Sequence, residues 1–356
     1  MVNLGIVGAT GAVGTVLLRV LEERSFPVRN LRCFASERSR GKQLTFRGEP
    51  HEVHVITGGQ ANSFTDLDLV FFDASDDVSR TWVPAALSSG AWVVDNSAVY
   101  RMDPSVPLVV PEINAVKSFE QARASRLLAG PNCSTVQLVM ALAPLRDLGL
   151  KRVVVTTFQS VSGAGAAAVN ELKASTRSFL SGEPVVQSEN FVDTMAFNCI
   201  PQIGKFQASG FTSEEEKIMG ETRKILDLPN LPIVATAVRV PTLSAHAESV
   251  AVEFERSFSL SDVRARLESF SGVVVLDDPS RSLFPKNRTS FDSPHLASEG
   301  ADAVFVGRLR QDPSIKNGLC FWVVSDNLRK GAALNAVQIG EALVRRADLH
   351  RTGKFR

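Results

Sequence analysis

The residues best suited to chemistry lie in Gly130-Pro131-Asn132-Cys133-Ser134-Thr135-Val136-Gln137. This octapeptide reads as the end of a buried strand over Leu127–Ala129, a tight turn, and a helix whose first turn carries a cysteine. Apolar residues then recur at helical spacing, at Val136, Val139, Met140, Leu142 and Ala143. A thiol in a first turn feels the positive end of the helix dipole and unpaired backbone N–H groups. Both favour thiolate over thiol, which makes Cys133 a candidate nucleophile. A buried cysteine packing as a small hydrophobe fits the same residues, and the octapeptide alone does not separate the two.

The elements that must position this thiol begin at residue 4. An apolar strand over 4–7 runs directly into Gly8-Ala9-Thr10-Gly11-Ala12-Val13-Gly14, and a helix follows with Val16, Leu17, Val20 and Leu21 on its apolar face. Strand, G-x-x-G-x-x-G, helix is the phosphate-binding turn of a dinucleotide fold. Its glycines admit the pyrophosphate, and the helix N-terminus supplies donors. A second strand over 31–35 ends in Ser36-Glu37-Arg38-Ser39-Arg40, where the adenosine ribose is contacted. Ser36, Arg38 and Ser39 favour the 2′-phosphate of NADP, whereas Glu37 argues for the 2′-hydroxyl of NAD. Strands at 54–56, 69–72 and 92–94, with a helix over 78–87, predict a mostly parallel, doubly wound Rossmann-type sheet. Arg101 follows the strand over 92–94 at its carboxyl end and is a candidate anion binder.

Beyond the Cys133 helix the pattern changes. A β-branched strand over 152–158 ends at Gln159, and a small-residue helix is expected to start in Ser162-Gly163-Ala164-Gly165. Another helix opens around Thr212-Ser213-Glu214-Glu215-Glu216-Lys217, with Ser213 as a cap. Strands at 233–239, 248–255, 273–276, 302–310 and 319–325 predict a mostly antiparallel second sheet. A helix over 330–346 closes the chain. The fold class expected is therefore α/β, a Rossmann-type doubly wound sheet joined to an α+β domain.

At 356 residues the chain suits two domains, and its net charge of +1 gives no electrostatic case for a nucleic acid or membrane partner. No apolar run is long enough to span a bilayer. The start shows no basic leader or cleavage site, so a cytoplasmic location is expected. Four scattered cysteines, Cys33, Cys133, Cys199 and Cys320, predict neither disulfides nor a metal site. Those other than Cys133 are read as strand cysteines.

The Cys133 octapeptide is followed by Arg239-Val240-Pro241 and His246. With the opening glycines, A-S-x-R-S, N-S-x-x-x-R, F-Q-S-V-S-G-A-G, E-E-x-K-x-x-x-E-T-x-K-I-L and Ser325-Asp326-Asn327-Leu328-Arg329-Lys330-Gly331-Ala332, the chain resembles the aspartate-β-semialdehyde dehydrogenase family along essentially its whole length. Ala247 and Glu37 depart from the family's pattern. The resemblance implies an NADP-binding domain over 1–132, joined by a C-terminal helix over 329–356, and a catalytic and dimerisation domain over 133–328. It also implies NADPH-dependent reductive dephosphorylation of L-aspartyl 4-phosphate to the 4-semialdehyde, on the route to lysine, methionine, threonine and diaminopimelate.

By the same resemblance Cys133 is the acyl-forming nucleophile, His246 the acid/base, and Gln159 the residue that holds the acyl group. Arg101 and Lys217 match phosphate binders, Glu214 and Arg239 the residues gripping the substrate amino and carboxylate groups, and Asn132 joins the substrate-binding set. Gly8, Thr10, Gly11, Ala12, Val13, Ser36, Arg38, Ser39, Ser162, Gly163 and Asn327 fall where the family holds NADP. Small-molecule substrates, no metal and a homodimer are expected. N-acetyl-glutamyl-phosphate reductase shares the fold class and the thioester chemistry. The Glu214 and Arg239 pair favours a free amino acid instead.

Overall fold

The computed structural model describes residues 1–56, 61–184, 187–287 and 298–346. The chain divides into two compact units, Met1–Pro131 with Ala332–Arg356, and Asn132–Gly331. In the first unit the order is β1 (Val2–Val7), α1 (Ala12–Glu23), β2 (Val28–Ala35), β3 (Gln43–Phe46), β4 (Glu49–Val55), β5 (Leu69–Phe72), α2 (Asp76–Ser88), β6 (Trp92–Asp95), α3 (Pro111–Gln121) and β7 (Leu127–Ala129). They form a seven-stranded sheet in the order β3-β4-β2-β1-β5-β6-β7, parallel throughout except for the β3–β4 hairpin.

Runs such as Leu69-Val70-Phe71-Phe72 are buried on both faces because helices cover both. Leu4, Ile6, Leu69, Phe71, Trp92 and Val94 pack with α1 and α3 on one side. Phe72 turns to the other, where it meets Phe64, which in turn meets Trp82 of α2. Strand order reverses at β1, whose neighbours are β2 and β5, so the glycine turn leaves β1 at the switch point where such sheets bind ligands. The β3–β4 hairpin and α3 were not expected from sequence. Among the residues of α3 only Ser118 and Phe119 are fully buried, too few to leave a periodic apolar signal.

The second unit runs α4 (Cys133–Leu142), β8 (Leu150–Gln159), α5 (Ala166–Ser181), α6 (Ser213–Leu226), β9 (Ile233–Arg239), β10 (His246–Phe254), α7 (Leu260–Glu268), β11 (Val273–Val275), β12 (Val304–Asp312) and β13 (Gly318–Ser325). Its six-stranded sheet, β11-β12-β13-β10-β8-β9, is antiparallel at the centre and parallel at both margins. The fold class is thus the one expected, and several local expectations change. The helix expected from Ser162 begins at Ala166, because Gly165 at φ 96° separates it from a 3-10 turn over Val161–Ala164. The cap of α6 is Thr212 rather than Ser213. Thr212 and Glu215 form a reciprocal capping box. Helix α7 was not expected, and Cys199 lies in an exposed loop, not a strand.

A π-helical turn over Arg329–Ala333 leads into α8 (Leu334–Arg345), and residues 347–356 of the expected helix lie outside the described residues. Val337, Ile339 and Leu343 of α8 join the core of the first unit. Gly340 lets α8 approach closely, since a Cβ there would lie 2.8 Å from the Phe71 ring. Among the described residues no helix is long and apolar enough to cross a membrane.

Gly8 is the backbone position the dinucleotide turn cannot spare. It sits at φ 89°, and a Cβ would fall 2.1 Å from the Asp73 carbonyl oxygen. Gly8→Ala is expected to destabilise the fold by more than about 1 kcal/mol. A lowered urea midpoint would show this, and an unchanged midpoint would show that the turn has room to relax.

Candidate active site

Cys133 is the first residue of α4, half-buried, and its helix is capped by Asn132. The Asn132 side-chain oxygen accepts from the N–H groups of Ser134 (3.0 Å) and Thr135 (3.2 Å). These amides are therefore taken by the cap, which corrects the expectation that they stand open to the thiol. The dipole of α4 remains. Two glutamates of α6 hold the cap: Glu221 accepts the Asn132 backbone N–H at 2.6 Å, and Glu214 accepts its side-chain amide at 2.7 Å. Gly331 closes over the cysteine, and a Cβ there would lie 2.9 Å from the Cys133 Cβ.

Glu214 also accepts from the Gln159 side-chain amide (3.1 Å) and lies 3.6 Å from Lys217 Nζ. Its place in the site is thus to join Asn132 and Gln159. Glu214, Lys217 and Glu221 are spaced so that they share one face of α6. Arg239 ends β9, buried. Burial disfavours its charge, while Glu214 and the Cys133 thiolate favour it. Its Nη1 donates to the Ser160 carbonyl at 2.7 Å.

His246 begins β10 and is fully buried. Its Nδ1 faces both the backbone N–H (3.1 Å) and the hydroxyl (3.1 Å) of Ser160, and its Nε2 makes no hydrogen bond. Burial, then the neighbouring Arg239 charge, push its pKa down to about 3, with the Ala245 carbonyl opposing. Asn327 Oδ1 gathers Ser160 (3.3 Å), Ser162 (3.2 Å) and the Ala245 N–H (3.0 Å). At Gly163 a Cβ would lie 3.1 Å from Arg239 Nη1 and 3.3 Å from His246 Nε2, so only glycine leaves these groups uncovered.

Beneath the Cys133 helix, Glu248 on β10 is fully buried. Gln137 is close enough to favour its charged form but makes no well-aligned bond to it. Burial raises the Glu248 pKa well above the usual carboxylate value, which favours its neutral form. The other end of Gln137 accepts from Ser325 at 2.7 Å.

The first unit carries its own set of expected residues. The N-cap of α1 is Gly11, which offers no side-chain oxygen to the first-turn amides. With the cradle at Gly8, this fits a pyrophosphate. Thr10 and Ser39 are bonded at 2.9 Å, which ties the glycine turn to the loop after β2. Ser36, Glu37 and Arg38 are exposed there, and the Glu37 carboxylate is bound by Arg40 at 2.5 and 2.9 Å. Ala12 and Val13 open α1, partly buried. Arg101 is buried, its Nη2 donating to the Asn96 carbonyl at 2.6 Å near the buried Asp95.

The comparisons with known proteins agree with this arrangement. Residues 3–121 match the family model for the semialdehyde dehydrogenase NAD binding domain, and residues 142–330 match that for the semialdehyde dehydrogenase dimerisation domain. The chain is 46% identical to the aspartate-semialdehyde dehydrogenase of Aquifex aeolicus over 346 residues, covering 96% of this chain and 98% of that one. The chain belongs to the aspartate-semialdehyde dehydrogenase family. Another member, from Prochlorococcus marinus, is 44% identical over 97% of this chain and 96% of its own length. The crystal structure of aspartate semialdehyde dehydrogenase II from Vibrio cholerae complexed with ASA superposes with a TM-score of 0.90 at 41% identity, covering 97% of this chain and 98% of that one.

In the second unit the fold brings together Asn132 and Cys133, Gln159, Glu214 and Lys217, Arg239 and His246, from four stretches far apart in sequence. Ser162, Gly163 and Asn327 stand beside His246. Four further residues that the structure places in or against this cluster were not singled out from sequence: Ser160, Glu221, Glu248 and Gln137. Glu221 had a signal, seven residues after Glu214 on one helix face. Gln137 and Ser160 lay inside the quoted motifs, and Glu248 had no signal, because its partner comes from a distant helix.

A carboxyl kept neutral by burial makes stability fall as pH rises above its unfolded value of 4.5, until its raised folded pKa is passed. Each pH unit in that window costs about 1.4 kcal/mol. Glu248→Gln removes the dependence. The variant is expected to gain melting temperature over the parent at pH 8, with the gain shrinking toward pH 5. An equal difference at both pH values would mean Glu248 is ionised in the fold.

Proposed function

We propose that the chain is an NADP-dependent, phosphorylating aspartate-semialdehyde dehydrogenase that reduces L-aspartyl 4-phosphate to L-aspartate 4-semialdehyde and phosphate through a thioester on Cys133. The observation that supports it most is the second unit's cluster, in which a thiol at a helix N-terminus faces a buried arginine and shares its surroundings with a buried histidine. An acyl phosphate is already activated, so a thiolate displaces phosphate without a metal. The sulfur–acyl bond forms as the acyl–phosphate oxygen bond breaks. NADPH, when bound, supplies the hydride that reduces the thioester carbonyl. His246 then holds or delivers the proton at the developing oxygen, and Cys133 leaves as thiolate when the thiohemiacetal collapses.

Arg239 carries the shape and charge for the substrate α-carboxylate, and Arg binds a carboxylate bidentately where Lys cannot. Glu214 is assigned to the ammonium group, Gln159 to the acyl group, and Asn132 to the placement of the thiol. Arg101 and Lys217 are the cations assigned to phosphate. The glycine turn with Thr10, Ala12 and Val13 is assigned to NADP, as are Ser36, Arg38, Ser39, Ser162, Gly163 and Asn327. Engagement of Glu37 by Arg40 supports NADP over NAD, since the acidic residue of the loop already has a partner. A homodimer serving lysine, methionine, threonine and diaminopimelate synthesis completes the proposal.

The decisive measurement is phosphate-dependent NADPH formation from aspartate semialdehyde. Cys133→Ala is expected to abolish it while NADP affinity stays within a few-fold. Given aspartyl phosphate without NADPH, the parent should release one phosphate per site and retain an aspartyl thioester. Failure to trap an adduct on Cys133, with turnover intact, would remove the thiol from the chemistry.

Cofactor choice has its own test. Arg38→Ala is expected to weaken NADPH by roughly ten- to a hundredfold, the worth of a charge-assisted contact, and to leave NADH little changed. Equal losses for both cofactors would place Arg38 away from the 2′-phosphate.

A further inference from the structure

The contact between His246 and Ser160 constrains which proton the ring carries. A backbone N–H only donates, and that of Ser160 points at Nδ1 from 3.1 Å. The nitrogen that receives it must present a lone pair, so the neutral ring in this contact holds its proton on Nε2. That tautomer offers a donor at Nε2 and has no lone pair there to take a proton. Proton exchange at Nε2 instead runs between the Nδ1-protonated neutral ring and the imidazolium. Both carry Nδ1–H, and both need an acceptor beside it.

The Ser160 hydroxyl, 3.1 Å from Nδ1, is placed to be that acceptor, and the Ala245 backbone also favours the protonated ring. It passes its own hydrogen to Ser162 Oγ at 3.0 Å or Asn327 Oδ1 at 3.3 Å, so the hydroxyl keeps a partner when it accepts, while the Ser160 backbone N–H gives up Nδ1 as its acceptor. Arg239 fixes the residue from its third side by donating to the Ser160 carbonyl at 2.7 Å. We propose that Ser160 is the positioning residue for His246: its backbone N–H selects the resting tautomer, and its hydroxyl admits the Nδ1–H forms that exchange a proton at Nε2. The proposal rests on the reading of His246 as the acid/base. The resting ring enters the exchange by taking one proton from water at Nδ1; one proton then leaves Nε2 for the substrate oxygen and later returns, while Nδ1–H goes on donating to Ser160 Oγ.

The charges that bear on the ring are Arg239 from β9, with Cys133 and Glu214 acting on Arg239 from α4 and α6. Burial favours the neutral form of Glu248, two residues along β10. Arg239 and burial both oppose the imidazolium, which makes the hydroxyl acceptor the more necessary.

Nitrogen-15 NMR of the ligand-free full chain, with its five histidines labelled and His246→Asn used for assignment, reads the tautomer directly. A pyrrole-type Nε2 and a pyridine-type Nδ1 are expected at neutral pH. A dominant Nδ1–H ring would overturn the proposal. In turnover, Ser160→Ala should lower kcat at least tenfold with KM for semialdehyde and NADP within threefold. The pH midpoint governed by His246 should fall by about one unit, and Ser160→Thr should return kcat to within threefold of the parent. Wild-type kcat and pH profile in Ser160→Ala, or no recovery in Ser160→Thr, would overturn it. Absence of semialdehyde turnover in the parent would sink the proposed reaction alone, because the nitrogen shifts decide the Ser160 assignment without it.

Discussion

The second unit depends on one buried side chain, Asn132, whose every polar group is used. Its oxygen caps α4, its backbone N–H reaches Glu221, and its amide reaches Glu214. A cap residue with free rotamers would leave the first turn of α4 to fray, and Cys133 is in that turn. The two glutamates are in turn set by the N-terminus of α6, where Thr212 and Glu215 cap each other. Glu215 also accepts the Ala237 N–H of β9 at 2.9 Å. One run of hydrogen bonds therefore registers the thiol on α4 to the strand that ends in Arg239.

This arrangement places ionisable groups with opposite needs in one water-poor region. Arg239 keeps its charge because Glu214 and the thiolate answer it. His246, which meets Arg239 and no carboxylate contact, is driven neutral. Glu248 has the Gln137 amide beside it, and burial favours its neutral form for the same reason. A charge survives burial when an opposite charge or a fully formed hydrogen-bond shell is at hand, and is given up otherwise. The protonation pattern is thus a result of packing, and no one of these residues sets it alone.

Legibility followed the range of the interactions. The glycine turn was readable because its demands are local: a positive φ at Gly8 and a helix that must start within a few residues. The strands 69–72 and 92–95 were readable because a sheet covered on both faces needs uninterrupted apolar runs. Cys133 was readable as a cysteine opening a helix, though the octapeptide alone left it between nucleophile and core residue. Local signals failed where two short-range rules compete. Ser213 and Thr212 are both good caps, each with a glutamate three residues on, and only the folded structure chooses Thr212 with Glu215. Helix α3 was lost because a helix that buries so few residues leaves little periodicity.

By itself the sequence determined the turns and apolar faces that set the fold class, and offered Cys133 as a candidate thiol, while the roles expected of His246, Arg101 and Arg239 came from the resemblance to a family. Tertiary structure alone decided what those groups are. It took the amides of α4 for Asn132, turned Glu214 into the joint between Asn132 and Gln159, and set Ser160 against Nδ1 of a histidine 86 residues away. The reason is that hydrogen-bond geometry and burial depend on atoms brought together by the register of β8, β9, β10 and β13, and no spacing along the chain encodes a distance between strands.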